Sequence, residues 1–412
     1  MQKFVFVSNY LNHHQIPFCD AMYEKLGGDF VFIQTEPMEK ERVQMGWQED
    51  VKVPYLKLYY EEPELCSRLT EDCAVLLFGG TDDESYVKPR LEAGKPVIRY
   101  SERIYKIGQW KAVSPRGLLQ KYKDHTKYRK KPVYMLCSGA YVPSDFRIVR
   151  AYPGKLLRWG YFPETRLYDK EKLMSRKEPA SIFWAARFID WKHPELPLQT
   201  AAFLKEKGCS FHLYMAGGGE KEPEVKRLLE EYGLQEEVTL LGYQTPEQVR
   251  QRMEKSDIYL VTSDRQEGWG AVVNEAMNSG CAVVANHMIG AVPFLIKHGK
   301  NGLIYQDGRK EALFRLTCQL LQDRDCCRRL GEAAFDTITK EWNAENAAER
   351  LCGLCVRLGF LRQEDVAEMQ EETTDKAFGD EKVSYGTGPC SPAPVISERR
   401  MYRELMKDSM GR

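Results

Sequence analysis

The 412-residue chain has no net charge, since 60 Lys and Arg residues balance 60 Asp and Glu residues. This balance excludes a uniformly basic polymer-binding protein but leaves local basic patches open. The sequence has no run of about 18 apolar residues, so it predicts no membrane-spanning helix. It also begins without the apolar stretch of about 7–15 residues that a secretory signal needs. With twelve scattered cysteines, these absences predict a cytoplasmic protein with reduced thiols.

Composition and cysteine spacing narrow the class of protein further. Hydrophobic residues make up 43% and charged residues 29% of the chain, which is typical of a globular protein, and the length indicates two domains. Cys352 and Cys355 form a single CxxC motif within an amphipathic helical pattern. A redox or zinc site would need a βαβ context or further ligands, so the sequence favours two packed helix thiols.

The neutral total hides a basic N-terminal part. Residues 1–170 carry 27 Lys and Arg against 22 Asp and Glu, a net charge of +5, which leaves −5 for the remainder. Residues 111–131 alone hold eight basic residues and one acidic residue, with Tyr122 and Tyr128 between them. Such a run is usually a solvated helix face, but it also suits an anionic lipid surface. We favour the lipid interpretation, with peripheral association at the inner face of the cell membrane. Nucleic acid is disfavoured because no recognition motif accompanies the run.

Short apolar runs alternate with helical patterns along most of the chain. Continuous apolar strands of this kind are typical of parallel sheets covered on both faces. One series occupies the first part of the chain, and a more regular series runs from 180 to 286. The predicted fold class is α/β, with two Rossmann-like doubly wound domains that face a central cleft. The predicted parts are an N-terminal domain at 1–168, a C-terminal domain at 169–340, a helix at 341–365 packing back towards the N-terminal domain, and an acidic linker and tail at 366–412 with a short helix near its end.

The strongest motif is EGWGAVVNE at residues 267–275. Glu267 ends a loop, and Gly268 and Gly270 allow the backbone to come close to a ligand. The helix that begins there presents free N–H groups and the positive end of its dipole, which suits a phosphate. Glu275 lies at most about 12 Å further along the axis, whereas a retaining glycosidase needs carboxyls about 5–5.5 Å apart. The two carboxylates therefore suit separate hydrogen-bonding roles on one extended ligand.

A second motif, RFIDWK, places two cations in a predicted strand-to-helix loop. Arg187 offers a planar fork and Lys192 a point charge, and both can bind the same diphosphate. Alone this pattern is weak, because most Arg and Lys side chains are solvated. It gains weight from the glycine-flanked helix start in the same domain.

These motifs and several shorter ones resemble a known family. The shorter motifs follow in order: AGGG at 216–219, LLGY at 240–243, SDIYLVTS at 256–263, NEAMNSGCAVVA from 274, GAVP at 290–293 and NGL at 301–303. Over about residues 180–310 the chain resembles the retaining, nucleotide-sugar-dependent glycosyltransferases of the GT-B fold, glycosyltransferase family 4 (group 1). The family's E-x7-E element matches Glu267 and Glu275, and its phosphate-binding pair matches Arg187 and Lys192.

The resemblance implies a role for each matched residue. Arg187 and Lys192 would neutralise the departing diphosphate, and Glu267 would bind hydroxyls of the donor sugar. These three residues form the predicted catalytic set. Glu275 would bind the ribose hydroxyls. The other implied donor-binding residues would bring backbone atoms to the donor or flank its base: Gly217, Gly218, Gly242, Tyr243, Gly268, Trp269 and Gly270. For such enzymes a front-face path is proposed in which the departing phosphate takes the acceptor proton. The resemblance therefore implies no protein nucleophile, metal or cofactor, only a UDP- or GDP-sugar as co-substrate.

The N-terminal half follows the family's pattern less closely. Where the family often has a glycine-rich loop after the first strand, this chain has Asn12, His13 and His14. Where the family often has a histidine after the fourth strand, this chain has Glu102 and Arg103. We expect these five residues on the acceptor or sugar side. The alternatives are ordinary loop histidines and a structural ion pair.

The predicted reaction is transfer of a hexosyl group, with retention and without a metal, from a nucleotide-diphosphate sugar to a saccharide or lipid-linked acceptor. Its expected setting is surface polysaccharide or glycoconjugate synthesis. No DxD motif lies near the predicted donor site, and Asp82-Asp83 is interpreted as a solvated loop or helix cap. A catalytically lapsed GT-B binding or partner protein is the main alternative. A nicotinamide enzyme is disfavoured because no G-x-G-x-x-G follows the first strand, and no signature of a pyridoxal-phosphate lysine points to a phosphorylase.

Overall fold

The computed structural model describes residues 2–38, 51–366 and 387–409. The chain divides into two compact units. The first comprises Met1–Glu164 and Trp342–Ile396, and the second comprises Thr165–Glu341 and Ser397–Arg412. The N-terminal segment of the first unit thus ends at Glu164, four residues before the domain boundary predicted at 168. Residues 367–386 and 410–412 of the predicted linker and tail lie outside the described residues.

Each unit contains one parallel β-sheet. The strands are β1 (Phe4–Ser8), β2 (Phe30–Gln34), β3 (Leu56–Leu58), β4 (Val75–Phe78), β5 (Val97–Ser101), β6 (Val133–Ser138), β7 (Leu156–Trp159), β8 (Glu178–Ala185), β9 (His212–Ala216), β10 (Val238–Gly242), β11 (Ser256–Val261), β12 (Ala282–Asn286) and β13 (Leu303–Tyr305). Among the described residues, the first sheet has the order β3-β2-β1-β4-β5-β6-β7 and the second has the order β10-β9-β8-β11-β12-β13. The predicted fold class, two Rossmann-like α/β domains, is confirmed.

Helices connect the strands and cover the sheets. They are α1 (Ile16–Leu26), α2 (Pro63–Asp72), α3 (Lys88–Ala93), α4 (Pro115–Asp124), α5 (Val142–Ile148), α6 (Lys170–Ser175), α7 (Glu195–Glu206), α8 (Glu222–Glu231), α9 (Pro246–Lys255), α10 (Ala271–Asn278), α11 (Val292–Leu295), α12 (Lys310–Gln322), α13 (Arg324–Lys340), α14 (Ala344–Arg357) and α15 (Glu398–Ser409). Helices α1 to α5 and α14 belong to the first unit, and the others belong to the second. Within the described residues, no helix combines the length and apolarity needed to cross a bilayer.

Strand sequence explains both sheets. Every residue of β1 is buried, and Phe4 pairs with Phe30 on one side and with Val75 on the other. A strand buried on both faces and paired on both sides is the environment that continuous apolar runs predict. In each sheet the strand order reverses between the first and fourth strands of the unit. Ligands of open α/β sheets bind at the carboxyl ends of the strands beside such a reversal.

The CxxC motif lies on α14, where both thiols are buried. Cys352 Sγ lies 3.9 Å from Met22 Sδ on α1, and burial raises the pKa of the Cys352 thiol to about 12. A neutral, enclosed thiol is a poor nucleophile and a poor metal ligand. The interpretation as packed helix thiols is confirmed, and α14 packs on the first unit's own helix α1.

We predict that Gly331→Ala destabilises the second unit. A Cβ at Gly331 on α13 would collide with the backbone carbonyl oxygen of Gly280 and lie 3.6 Å from the Ala282 nitrogen. Alanine gains up to about 1 kcal/mol of helix propensity, but overpacking against fixed backbone costs about 1–3 kcal/mol. Urea unfolding should show a lower midpoint. The control is Gly28→Ala, where nothing lies within 4 Å of the added Cβ; unchanged stability in both variants would contradict the packing of α13.

Candidate functional site

The predicted residues of the second unit follow four neighbouring strands. Arg187 and Lys192 follow β8, Gly217 and Gly218 follow β9, Gly242 and Tyr243 lie at the end of β10, and the segment 267–270 follows β11. Because these strands are parallel and adjacent in the sheet, their carboxyl ends lie at the same edge. The topology therefore gathers motifs from about 80 residues of sequence into one region.

Lys192 and Glu267 are in direct contact. Their side chains form an ion pair, and each is only 14% exposed. Lys192 Nζ also lies 4.3 Å from the centroid of the Trp191 ring. The hydroxyl of Thr262, just after β11, donates to the Lys192 carbonyl oxygen at 2.6 Å. The structure thus joins two residues of the predicted catalytic set from separate loops and fixes the backbone of one of them.

Arg187, the third member of that set, is exposed. Among the described residues, no ion pair to its guanidinium is found. The next residue ties the loop down, since the Phe188 N–H donates to the Gly218 carbonyl oxygen at 2.8 Å. The guanidinium is therefore available to an anion near the ends of β8 and β9.

His193 belongs to the same region, although the sequence did not single it out. It has a left-handed backbone, with φ of 53°. Its Nδ1 lies 2.9 Å from Glu195 Oε1, and its Nε2 lies 3.7 Å from Asp264 Oδ2. Asp264 and then Glu195 raise the pKa of His193 to about 9, so the imidazolium links the loop after β8 to the loop after β11. In the sequence, the nearby feature that could have indicated a charged histidine was Glu195, two positions after His193.

The start of α10 is built from glycines. Gly270 is its N-cap residue, with φ of 88°, and a Cβ there would lie 2.8 Å from Ile289 Cγ2. The Trp269 side chain is buried, and its Nε1 donates to Asn274 Oδ1 at 2.8 Å. The indole is thus part of the core, and the Trp269 carbonyl oxygen accepts from the Ala291 N–H at 2.9 Å. The contact predicted between the Trp269 backbone and a donor stays a prediction.

Glu275 lies on α10 and is half-buried. Burial raises the pKa of its carboxyl above the usual value, and the positive charges of Arg250 and Arg166 oppose the rise. Arg250 is itself buried and donates to Asn278 Oδ1, which also accepts from the Arg166 N–H at 2.8 Å. A partly buried acceptor in this setting suits ligand hydroxyl groups.

Tyr243 packs against the loop after β9. A Cβ at Gly218 would lie 2.6 Å from the Tyr243 ring, so only glycine allows the ring to lie on this backbone. The Gly217 N–H donates to the Gly242 carbonyl oxygen at 2.8 Å, which joins the two loops. Tyr243 is nevertheless 75% exposed. The structure therefore presents an open aromatic face beside the two glycine loops.

In the first unit, the loop after β1 initiates α1. Asn12 Nδ2 donates to Gln15 Oε1 at 2.9 Å, and Asn12 Oδ1 accepts from the His14 N–H at 3.0 Å. The rings of His13 and His14 have centroids 3.9 Å apart, and His14 stacks on Tyr161. Asn12 thus shapes the turn that holds both histidines at the carboxyl end of β1.

Glu102 and Arg103 both line a cavity of about 720 Å³ at the carboxyl ends of β4 and β5. Glu102 accepts hydrogen bonds from Tyr161 at 2.8 Å and from Lys106 at 2.5 Å. Arg103 is buried, 3.6 Å from the equally buried Asp145. Its geometry matches the structural ion-pair alternative, whereas Glu102 stays at the cavity wall. We call this space the β4–β5 cavity.

Three further residues of this cavity could ligate a metal. Glu84, Asp124 and His125 offer ligand atoms within 4.8 Å of one another. However, Arg99 forms an ion pair with Glu84 and donates to the Asp124 carbonyl oxygen at 2.8 Å, and His125 Nδ1 is 2.7 Å from the Tyr152 hydroxyl. The guanidinium already supplies the positive charge, so we assign no metal to this cluster.

The Asp82-Asp83 pair lies beside this cavity. Asp83 Oδ1 accepts from the Ser85 N–H at 2.9 Å and caps a short 3-10 helix, as the helix-cap interpretation predicts. Asp82 is exposed.

Comparison with known proteins shows which family the second unit resembles. The family model "Glycosyl transferases group 1" matches residues 166–337, the part of the chain that forms the strands and loops of the second sheet. The match supports a glycosyltransferase of group 1. It covers both glutamates of the E-x7-E element and both cations of the phosphate-binding pair.

Curated relatives agree with this class. The chain is 26% identical over 186 residues to the amylovoran biosynthesis glycosyltransferase AmsK of Erwinia amylovora, covering 44% of this chain and 46% of AmsK. It is also 26% identical over 196 residues to a GDP-mannose-dependent phosphatidylinositol monomannoside mannosyltransferase of Mycobacterium tuberculosis, covering 46% and 49%. The chain spans about half the length of the curated relatives it matches.

Solved structures share the fold over most of the chain. HepE of Anabaena, in a complex with UDP, has a TM-score of 0.62 at 14% identity and covers 86% of this chain and all of HepE. A glycosyltransferase of Rickettsia africae has a TM-score of 0.60 at 14% identity, covering 86% and 98%. These likenesses confirm the predicted GT-B fold class.

We predict that His193 stabilises the protein in a pH-dependent way. Its folded-state pKa of about 9 lies above the ordinary value of 6.5, so its stabilisation is complete below pH 6.5 and is lost as the pH rises through about 9. Asn tolerates a positive φ, so His193→Asn removes the charge with little added strain. The difference in unfolding free energy between wild type and variant, measured in urea, should shrink from pH 6.5 to 9. A constant difference across this range would contradict the imidazolium link.

Proposed function

We propose that the protein is a retaining glycosyltransferase of family 4 that transfers a hexosyl group from a nucleotide-diphosphate sugar to a saccharide or lipid-linked acceptor. The observation that carries the proposal is the paired Lys192 and Glu267 beside the glycine-rich start of α10. This arrangement combines a cation, a hydroxyl-binding carboxylate and a helix N-terminus at one sheet edge. Those are the groups that a sugar joined to a diphosphate requires.

The main chemical demand is stabilisation of charge on the departing diphosphate. Arg187 is exposed and can bind a phosphate oxygen bidentately. Lys192 is already held in place by Glu267 and by its backbone bond to Thr262, so its charge needs little reorganisation when the diphosphate develops its negative charge. In this role Glu267 both orients the lysine and binds sugar hydroxyls.

The nucleoside end of the donor would lie further along the same edge. Glu275 is a half-buried acceptor whose position on α10 suits the two ribose hydroxyls. The exposed ring of Tyr243, resting on Gly218, offers a face on which a base can stack. With its sugar near Glu267, the donor would then extend from the sugar through the diphosphate and the ribose to the base.

In this proposal the departing phosphate takes the proton of the acceptor hydroxyl, without a protein nucleophile, a metal or a resident cofactor. The complex of HepE with UDP supports a UDP-sugar donor, and the GDP-mannose-dependent relative supports a GDP-sugar. Synthesis of a surface polysaccharide or glycoconjugate is supported by the amylovoran enzyme. The acceptor would bind the first unit near Asn12, His13, His14, Glu102 and Arg103.

The alternative of a lapsed GT-B protein finds less support. A protein that only keeps the fold has no need for the ion pair at the sheet edge, whereas Lys192 and Glu267 are paired there. This pairing supports a working donor site over a lapsed one.

A thermal-shift screen against nucleotide sugars tests the proposed class. A ligand at about 100 times its Kd stabilises the folded state by about 2.7 kcal/mol, which gives a clear rise in Tm. We expect one UDP- or GDP-sugar, and its free nucleotide, to stabilise the protein. Stabilisation by NAD alone would overturn the proposal.

We predict separate effects for Arg187→Ala and Glu275→Ala. Loss of Arg187 removes a group that acts on the leaving phosphate, so kcat should fall about 100-fold or more. Loss of Glu275 removes charged hydrogen bonds to ribose, so the donor Kd should rise about tenfold to a hundredfold. The control is Arg176→Ala, because Arg176 is exposed and precedes β8 at the opposite end of the strand. Wild-type transfer rates in both test variants would refute the site.

A further inference from the structure

Exposed apolar side chains are concentrated in one stretch of the first unit. Among the described residues, ten large hydrophobic side chains are exposed. Five of them lie within 16 consecutive residues: Ile107, Trp110, Leu118, Leu119 and Tyr122. Trp110 is 68% and Leu119 is 55% exposed. Scattered exposed leucines are ordinary, but a cluster of this kind marks an interaction surface.

Helix geometry places three of these side chains together. At 3.6 residues per turn, Leu118, Leu119 and Tyr122 share one face of α4, because 118 and 119 lie four and three residues before 122. The opposite face carries Gln120, Lys121 and Asp124, which line the β4–β5 cavity. Helix α4 therefore has one face on the cavity and one apolar face in solvent.

Basic side chains flank the apolar face. Arg116 and Lys123 on α4 and Arg129 and Lys130 just beyond it are exposed, and within the described part of the chain none of the four has an ion-pair partner. Not all of the basic run is available, since Lys131 Nζ donates to the Leu91 and Glu92 carbonyl oxygens. Two of these cations thus lie on the helix that carries the leucines, and two lie within six residues of its end.

One tyrosine of the basic run does not contribute. Tyr128 is buried, and its ring lies beneath Lys127 and Lys131. Tyr122 is exposed. The sequence pattern indicated two aromatic residues between the basic ones, and the structure exposes only one of these two. The exposed Ile107, Trp110 and two leucines were not indicated by the basic run.

We propose that Ile107, Trp110, Leu118, Leu119 and Tyr122, with the flanking Arg116, Lys123, Arg129 and Lys130, form a membrane-docking surface for anionic bilayers. The apolar side chains enter the interface between headgroups and acyl chains, and the cations bind lipid phosphates. Amphipathic helices with Lys and Arg beside Trp and Leu bind membrane surfaces in this way.

The combination of charge and apolar exposure selects the partner. The phosphates of an RNA backbone would pair with the cations, but the leucines would stay exposed to water. A second copy of the chain would bury the leucines but bring basic side chains against one another. An anionic bilayer satisfies both groups at once, which is why we commit to it.

The surface also bears on the substrate. The other face of α4 lines the β4–β5 cavity, so docking through this helix would hold that cavity close to the lipid headgroups. A lipid-linked acceptor would then reach Glu102 without leaving the bilayer. The docking surface is inferred from exposed apolar side chains and charge, whereas its role in bringing a lipid-linked acceptor to Glu102 rests on the proposed function.

The test is sedimentation with phosphatidylcholine vesicles, with and without phosphatidylglycerol, at low and high salt. We expect binding to the anionic vesicles that weakens at high salt, because surface charges are screened beyond about 10 Å at 0.1 M. The double variants Leu118→Ser/Leu119→Ser and Arg116→Glu/Lys123→Glu should each lose binding by about tenfold or more. All four positions are exposed, so folding should be preserved, which the Tm of each variant checks.

Matched controls come from exposed positions elsewhere. Leu167→Ser/Val395→Ser removes comparable apolar exposure, and Lys300→Glu/Arg315→Glu makes the same change of net charge at exposed sites of the second unit; both should bind like wild type. Light scattering measures the mass of the leucine variant, and RNA binding is measured in parallel.

Any of four results would overturn the proposal. They are equal binding to neutral vesicles, unchanged binding by the leucine variant, RNA binding in place of vesicle binding, or a dimer that the leucine variant converts to monomers. Sedimentation needs no sugar nucleotide, and the thermal-shift screen needs no membrane. Failure of the docking surface is therefore distinguishable from failure of the proposed function.

Discussion

The ion pair between Lys192 and Glu267 depends on the order of the strands in the second sheet. The two residues lie 75 positions apart in sequence, and they meet because β8 and β11 are parallel neighbours whose following loops lie at one edge. His193 adds a second link between the same loops, through Asp264. The glycine loops after β9 and β10 extend this edge. A charged diphosphate and its sugar can be bound there because the sheet, rather than any single motif, sets the spacing.

The sequence predicted the parts of the fold that local physics determines. Fully buried strands such as β1 and β12 are continuous apolar runs. Strands β3, β6, β7 and β13 were not predicted. β3 and β13 have only three residues each and β7 has four, so none of them gives a long apolar run. β6 is an apolar run between Pro132 and Gly139, but it follows directly on the basic run that was interpreted as a helix face or a lipid surface.

Part of the candidate site could likewise be predicted from the sequence, and part of it could not. The E-x7-E element and the RFIDWK motif are local patterns, so their residues could be named before the structure. Partners brought together by tertiary packing could not: Arg250 acts on Glu275 from another helix, and Arg103 meets Asp145 across 42 positions. A single sequence offers many charges that could pair, and only the fold selects among them. The burial of Tyr128 beside an exposed Tyr122 is a further instance.

The central claim is that the loops after β8 and β11 bind the diphosphate of a sugar nucleotide, with Glu275 on the ribose. A crystal structure of the protein with UDP or GDP tests it most directly. The account predicts phosphate oxygens within hydrogen-bonding distance of Arg187 and Lys192 and ribose hydroxyls on the Glu275 carboxylate. A nucleotide bound elsewhere, or one whose ribose points away from Glu275 while its phosphates miss both cations, would contradict it.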